Sequence, residues 1–254
     1  MAEGAIVRTL RVLTTLCEKG PLTLKDLSEE TGLVPPTALR TLRLMADEGF
    51  VIQQPDRMWR ATMVMWRLGC FVNASVGIAS LASKYTDRLR HDLDETAVYA
   101  LFDQGDVTYT AHSEPATPVR AHARMGSRHG LLNVATGHAV LAWLGHQEVE
   151  SAVERARQEG DSAPAVDLAE LETLLASVRQ QGYYSGAGRH WPELWGVAAA
   201  VFDTAGAPIG ALGVSIPMSR VEERGQDAIE AIVREAASMT DEMGGRPPGR
   251  TPPA

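Results

Sequence analysis

The chain has 254 residues, 44% of them hydrophobic, which is enough for one large or two modest packed domains. No run approaches the ~18 consecutive apolar residues of a membrane span, and the N-terminus lacks the basic start and apolar core of a signal peptide, so a cytoplasmic protein with no membrane partner is expected. The net charge is −8, and the two cysteines, Cys17 and Cys70, fit a reducing compartment without a disulfide framework.

Ile6, Val7, Leu10, Leu13 and Leu16 recur at helical spacing, so an amphipathic helix is expected over residues 5–18, with Cys17 as a small hydrophobe on or near its apolar face. Gly20-Pro21 ends it. Thr23 with Asp26 resembles a capping box and starts a second short helix, in which Leu24 and Leu27 point inward. Thr31-Gly32 makes a turn. Pro35 or Pro36 then opens a third helix, where a missing N–H costs nothing. At about 100° per residue, Ala38, Leu42, Met45, Ala46 and Gly49 share one side of it, and Thr37, Arg40 and Arg43 the other. Phe50 to Ile52 and Met58 to Ala61 read as two strands around the turn Gln53-Gln54-Pro55-Asp56-Arg57. Helix, turn, helix and hairpin in this order describe a winged helix-turn-helix, here residues 1–61.

That motif gives the basic residues a purpose. An Arg side chain reads guanine O6/N7 bidentately in the major groove and also binds phosphate. The DNA-binding set is therefore Pro36, Thr37, Arg40, Thr41 and Arg43 on the third helix, with Arg57 and Arg60 of the wing reaching phosphates or a minor groove. Trp59 is expected in the core rather than as a base-stacking platform. The acidic net charge does not oppose this. Residues 1–69 carry nine Lys/Arg against eight Asp/Glu, and residues 34–69 five Arg against three acids. The excess acid lies in the remainder, with fifteen bases against twenty-four acids. A footprint on DNA needs only a local patch, and so modest a patch calls for a dimer on a palindromic double-stranded operator.

Residues 62–76 follow, with Met63, Val64, Met65, Trp66, Leu68, Phe71 and Val72 leaving more than one face apolar. A helix of that composition outside a core wants a partner. From Gly77 a second domain is expected, residues 77–244. It reads as a helix over 79–93, a hairpin of 97–102 and 107–112 around Gln104-Gly105, and a third strand over 119–125. Helices over 134–144, 147–158 and 168–181 come next, then strands over 182–187, 195–202 and 209–216 and a last helix over 222–243. The fold class is α+β, an antiparallel sheet with flanking helices. The Pro/Gly/Arg-rich end, residues 245–254, is expected to be a disordered tail.

The chain resembles the IclR family of transcriptional regulators, from Val7 to about Met243. Three stretches carry the resemblance. The first is Thr31-Gly32-Leu33, Thr37-Ala38, Arg40, Leu42, Arg43 and Gly49-Phe50-Val51. The second is Ala135-Thr136-Gly137-His138-Ala139-Val140-Leu141-Ala142. The third runs from Gly182-Tyr183 through Val197 to Asp203, Gly206, and Gly210 to Ser215. The resemblance implies a linker helix that takes part in dimerisation, a second domain similar to GAF sensor domains, a dimer or dimer of dimers, and repression more than activation. It also implies a small-molecule effector, of unknown identity, in a pocket walled by Ala135, Thr136, Gly186, Gly196, Gly213 and Ser215. Arg128 and His129 lie in an upstream loop able to close over it, and Trp191 and Trp195 supply apolar walls. The first N–H groups of the helix at Ala135 favour a carboxylate.

Two departures from the family matter. Members that bind small carboxylic acids tend to carry Asp, Cys and Ser where this chain has Gly186, Gly196 and Gly213, and Arg189 stands where Glu is common. Three glycines open volume, so a larger, flatter or more apolar ligand is expected, the other reading being a degenerate pocket that answers nothing. At the third helix the family often has Pro-Lys-Ser or Pro-Ser-Ser in place of Val34-Pro35-Pro36. That loss removes phosphate contacts and a cap, which Thr37 is expected to supply.

Enzyme chemistry finds no support in the residues. His112, His122, His129 and His138 are too scattered for metal-ligand spacing. His190-Trp191-Pro192-Glu193 offers one carboxylate in a proline loop, and Gly186-Ala187-Gly188 is not followed by the Lys-Ser/Thr of a phosphate loop. No enzyme activity, metal or cofactor is expected. Two rivals remain: an enzyme whose active site lies in the second domain, with the first domain as an interaction module, and a ligand-sensing scaffold that uses its winged helix for protein contacts.

Overall fold

The structure, a computed structural model, describes residues 4–158, 167–187 and 191–248, without the side chains of 70–76. Gly188, Arg189 and His190, named above, lie outside the described residues, as do 249–254. The chain divides into two units, Met1–Gly77 and Ile78–Ala254.

The first unit holds α1 (Ala5–Lys19), α2 (Leu24–Thr31), α3 (Pro35–Asp47), β1 (Val51–Gln53), β2 (Trp59–Ala61) and α4 (Met63–Val76). Local chemistry sets the boundaries. Thr23 accepts the Asp26 N–H at 3.2 Å and donates its hydroxyl to the Asp26 carboxylate at 2.7 Å, closing the start of α2. Gly32, at φ 68°, makes the left-handed turn that ends it. α3 opens on Val34 with Pro35 and Pro36 in its first turn. Thr37 is not the replacement cap: it sits inside that turn, its N–H donated to the Val34 carbonyl at 2.9 Å. The core is Val12, Leu16, Leu27, Leu42, Met45, Val51 and Trp59. Trp59 also exchanges backbone hydrogen bonds with Leu22, at 3.0 and 2.8 Å, which ties the wing to the segment before α2.

The apolar stripe expected along α1 is buried only in its second half. Val12 and Leu16 are covered, whereas Ile6, Val7 and Leu10 are 76%, 51% and 57% exposed. The eight residues of α2 are too few to cover the fifteen of α1. Cys17 points away from the buried face and is exposed. Thr62 caps α4, accepting the Val64 N–H at 3.3 Å and donating to the Gly49 carbonyl at 2.6 Å, while Met63 and Trp66 stay 64% exposed.

The second unit contains α5 (Ile78–Leu93), β3 (Thr96–Asp103), β4 (Asp106–Ser113), β5 (Arg128–Gly130), α6 (Ala135–Leu141), α7 (His146–Gln158), α8 (Leu168–Gln181), β6 (Tyr184–Ala187), β7 (Leu194–Phe202), β8 (Pro208–Pro217) and α9 (Val221–Glu242). The six strands form one antiparallel sheet in the order β5-β4-β3-β8-β7-β6. Period-two alternation divides its faces. Val197, Val201, Leu212, Val214 and Ile216 pack with Tyr85 and Leu89 of α5 and Ile232 and Met239 of α9. Ala100, Ala198 and Ala211 pack on the other side with Leu141 of α6, Val149 of α7 and Leu175 of α8. Gln104 and Gly105, at φ 49° and 85°, make the hairpin between β3 and β4.

The third strand does not fall at 119–125. That stretch is irregular, and the edge strand is β5 instead. Ala121 and Ala123 are buried alternately, as in a strand, yet their backbone groups bond to side chains. The Ala123 N–H goes to the Glu114 carboxylate at 3.0 Å, and the Ala121 carbonyl accepts the Thr96 hydroxyl at 2.6 Å. At the start of β3, fully buried Glu95 takes a bidentate pair from Arg220 at 2.6 and 2.8 Å, which ties the sheet to the approach to α9. Two residues assigned to the tail by composition are held to the domain. Gly245 donates to the Thr240 carbonyl at 2.8 Å and Arg246 to the Asp203 carbonyl at 3.1 Å.

Candidate functional site: a basic helix face and a buried hydroxyl

The first site is the outer face of α3 and the wing. Ala38, Leu42 and Met45 are buried and fix the roll of α3. The opposite side therefore presents Arg40 and Arg43, both exposed, with Pro36 exposed and Thr37 and Thr41 half-buried. Thr41 donates its hydroxyl to the Thr37 carbonyl at 3.0 Å. In the wing, Arg60 pairs with Ile52 across the ladder and is exposed, and Arg57 sits at the turn. None of these four guanidiniums has an ion-pair or hydrogen-bond partner among the described residues. Four such cations on one motif can exchange water and counterions for an external anion.

The second site is the sheet face under α6. The ladder aligns Gly186, Gly196, Ser215 and Thr96 in one row across β6, β7, β8 and β3. At the start of α6, Ala135 lies over that row at Gly196, and Thr136 lies over the next row on the same face, at Gly213. A Cβ on Gly196 would sit 2.9 Å from the Ala135 Cβ, and one on Gly213 would sit 2.7 Å from Thr136 Cγ2. A Cβ on Gly186 would meet the Tyr184 hydroxyl at 2.7 Å. The three glycines therefore open no volume. Gly196 and Gly213 admit the helix to close packing on the sheet, and the Tyr184 ring fills the third space. The Tyr184 ring in turn stacks on His138 at 4.4 Å.

The Thr136 hydroxyl is buried, and no hydrogen bond of ordinary geometry satisfies it among the described residues. It is close enough to Tyr109 to work against the burial that raises that phenol's pKa. Tyr109 also faces the His129 ring at 4.8 Å, and His129 Nε2 lies 2.8 Å from the Ser127 hydroxyl. His129 thus approaches the site through Tyr109. Its neighbour Arg128 does not: it is exposed on the edge strand and pairs with Asp106 at 2.7 Å. Trp195, expected as an apolar wall, does not share this face. Alternation along β7 turns it to the opposite face, against the α5/α9 core and near Gly225. Trp191 is 47% exposed in the loop before β7. The expected pocket set lacks Tyr109, Tyr184 and His138, although Tyr184 stands two residues before Gly186 and period two puts it on the same face.

Open clefts among the described residues include two that lie elsewhere. One, of about 620 Å³, runs between α7 and α8 beside His146, Glu172 and Arg179. The other, of about 660 Å³, lies at the corner of α2 and α3 beside Ser28 and Val34. Among the described residues no cluster of three or more His, Cys, Asp or Glu could hold a metal ion, and no helix is long and apolar enough to cross a membrane.

Comparison with known proteins agrees with this two-part layout. The IclR helix-turn-helix domain matches residues 5–55, and the bacterial transcriptional regulator IclR C-terminal domain matches residues 70–242. The chain is 25% identical over 244 residues to the HTH-type transcriptional regulator KdgR of Escherichia coli, covering 95% of this chain and 93% of that one. It is 27% identical over 248 residues to the transcriptional repressor AllR of Salmonella paratyphi A, covering 96% and 91%. Among solved structures, an IclR transcriptional regulator from Alicyclobacillus acidocaldarius superposes with a TM-score of 0.81 at 23% identity, covering 96% of this chain and 100% of that one. An IclR homologue from Microbacterium hydrocarbonoxydans, solved in complex with 4-hydroxybenzoate, gives 0.80 at 21% identity, covering 94% and 99%. With a helix-turn-helix unit, a second α+β unit and both family domains matched in order along its length, the chain belongs to the IclR family of DNA-binding transcriptional regulators, whose C-terminal domain binds effectors.

Proposed function

We propose that this chain is a dimeric or tetrameric repressor that reads a palindromic operator through Arg40 and Arg43, with Thr37, Thr41, Arg57 and Arg60 in support. The observation that carries this is the pair of exposed guanidiniums, unpartnered among the described residues, one turn apart on the outward side of α3. Repression as the direction is favoured by the relative named a repressor. Apolar side chains left exposed on α1 and α4 favour self-association. The test is selection of sheared genomic DNA on the purified protein and on an Arg40→Ala/Arg43→Ala variant. A palindromic site enriched by the parent and lost in the variant supports the reading; equal enrichment by both contradicts it.

The effector lies against Thr136, Tyr109 and Ser215 beneath α6. The packing of Ala135 and Thr136 onto glycines argues against the large ligand that three open positions suggested, and favours a compact one. The unsatisfied Thr136 hydroxyl asks for a hydrogen-bonding group, and the Tyr184–His138 stack favours a flat one. A small hydroxylated aromatic answers both demands, and the structural relative that holds 4-hydroxybenzoate makes that compound the first probe. Calorimetric titration should give binding that Thr136→Val weakens; equal binding by the two proteins would remove Thr136 from the site.

A further inference from the structure

The wing turn is built for glycine at a position this chain fills with Arg57. Gln53 and Trp59 close the ladder. Beyond them the Gln54 N–H bonds to the Met58 carbonyl at 2.8 Å, and the Arg57 N–H to the Gln54 carbonyl at 2.9 Å. Gln54 to Arg57 therefore form a β-turn whose last residue lies in the left-handed region, the three-residue hairpin loop in which that position is ordinarily Gly. Pro-Asp-Gly is the sequence such a turn favours. Here Pro55 and Asp56 are present, and Arg57 takes the glycine's place at φ 67°.

That conformation is costly for a residue with a Cβ and a long side chain. The surroundings hold it in place. Asp56 accepts the Met58 N–H at 3.0 Å, and the Gln53 side-chain amide donates to the Arg57 carbonyl at 3.4 Å. The guanidinium has no partner among the described residues that would offset the strain. Strain kept at an over-determined position, with no internal contact to reward it, points to a contact outside the molecule.

We infer that Arg57 is a strained DNA contact: the wing turn sacrifices stability to hold this guanidinium at its tip for a phosphate or the minor groove. This rests on the reading of the winged unit as the DNA-binding head and adds a cost to one of its residues. The glycine that suits the fold best is the substitution that damages binding most.

The test uses the full-length protein with Arg57→Gly, Arg57→Asn and Arg57→Lys, and Arg40→Ala/Arg43→Ala as reference. Hydrogen exchange at the Gln54 and Met58 amides reads the stability of the turn. Affinity for a random-sequence duplex across a salt series reads the DNA contact. Arg57→Gly should raise wing protection roughly fivefold and lower the slope of log K against log salt by about one unit. Arg57→Asn, which tolerates the left-handed region, should show both changes in milder form, and Arg57→Lys should keep the parent's slope and strain. A duplex with a narrow A-tract groove separates the two targets: preferential loss there marks a minor-groove contact, and equal loss on mixed sequence marks a phosphate. Unchanged or reduced protection in Arg57→Gly overturns the strain. A parent-like salt slope in Arg57→Gly, while the reference variant loses binding, overturns the contact and leaves the head's function intact. If the reference variant also binds like the parent, the DNA-binding reading itself fails.

Discussion

A hydrogen atom in place of a methyl group decides how the second unit packs. Gly213 accepts Thr136 because it has no Cβ; an added one would lie 2.7 Å from Thr136 Cγ2 and 3.4 Å from Val98 Cγ2. Neither neighbour is a flexible chain end, so overpacking must shift α6. Gly213→Ala should cost about 1–3 kcal/mol in urea denaturation, and adding Thr136→Ser, which deletes the clashing methyl, should return most of it. No recovery would mean that the strain is taken up by Val98 or the backbone. Gly137 is tighter still, since its Cβ would meet the Leu131 carbonyl oxygen at 2.4 Å. These glycines are structural, and the buried Thr136 hydroxyl beside Tyr109 is the polar group proposed to meet the effector.

The elements differ in what fixes them. The irregular stretch between β4 and β5 depends on one carboxylate. Burial raises the pKa of Glu114, but the Ala123 N–H, Arg120 and His122 together outweigh that and hold it below the usual value. Its contribution is therefore complete above the pH at which the unfolded chain titrates, 4.5, and is lost as pH falls through the lower folded value. Hydrogen exchange at the Ala123 amide should accelerate in that acidic window in the parent, after correction for intrinsic rates, and Glu114→Gln should remove the transition. At α3 the opposite problem arises, because the first turn lacks donors. Pro35 and Pro36 have no N–H, and the Thr37 N–H is already given to Val34. A helix start that would ordinarily hold a phosphate has little to offer here. Pro36→Ser restores one N–H and adds a hydroxyl, so its DNA binding should steepen with salt by about one unit; an unchanged slope would mean that this end of α3 does not face the backbone.

For the whole molecule the balance of charge and apolar surface governs assembly. Net charge is −8, and the cations suited to DNA are confined to one small unit. One copy of that patch gives a weak footprint, and on the proposed palindromic operator a second copy would multiply it. The surface left uncovered on α4, Met63 and Trp66 at 64% exposure and Leu68 at 44%, is what self-association would bury. Trp66→Asp should shift the sedimentation profile toward monomer and weaken operator binding together. A variant that stays dimeric would move the association surface to other residues, the exposed Ile6, Val7 and Leu10 of α1 first among them.

Much of this was legible from the chain alone, because it depends on contacts between near neighbours. The Thr23–Asp26 cap, the Gly32 turn, the inward side of α3 and the Gln104-Gly105 hairpin are set by backbone periodicity and by groups a few residues apart. The sequence could not say what lies across from a residue. Gly196 and Gly213 look like open space until Ala135 and Thr136, more than sixty residues earlier, are seen resting on them. Ile6 and Leu10 complete an apolar stripe that the eight residues of α2 are too few to bury. Residues 119–125 alternate like a strand, but Glu114 and Thr96 take their hydrogen bonds. Trp195 stands next to Gly196 yet faces the opposite core. Periodicity tells which residues share a face of an element, and long-range packing assigns that face to core, ligand or solvent.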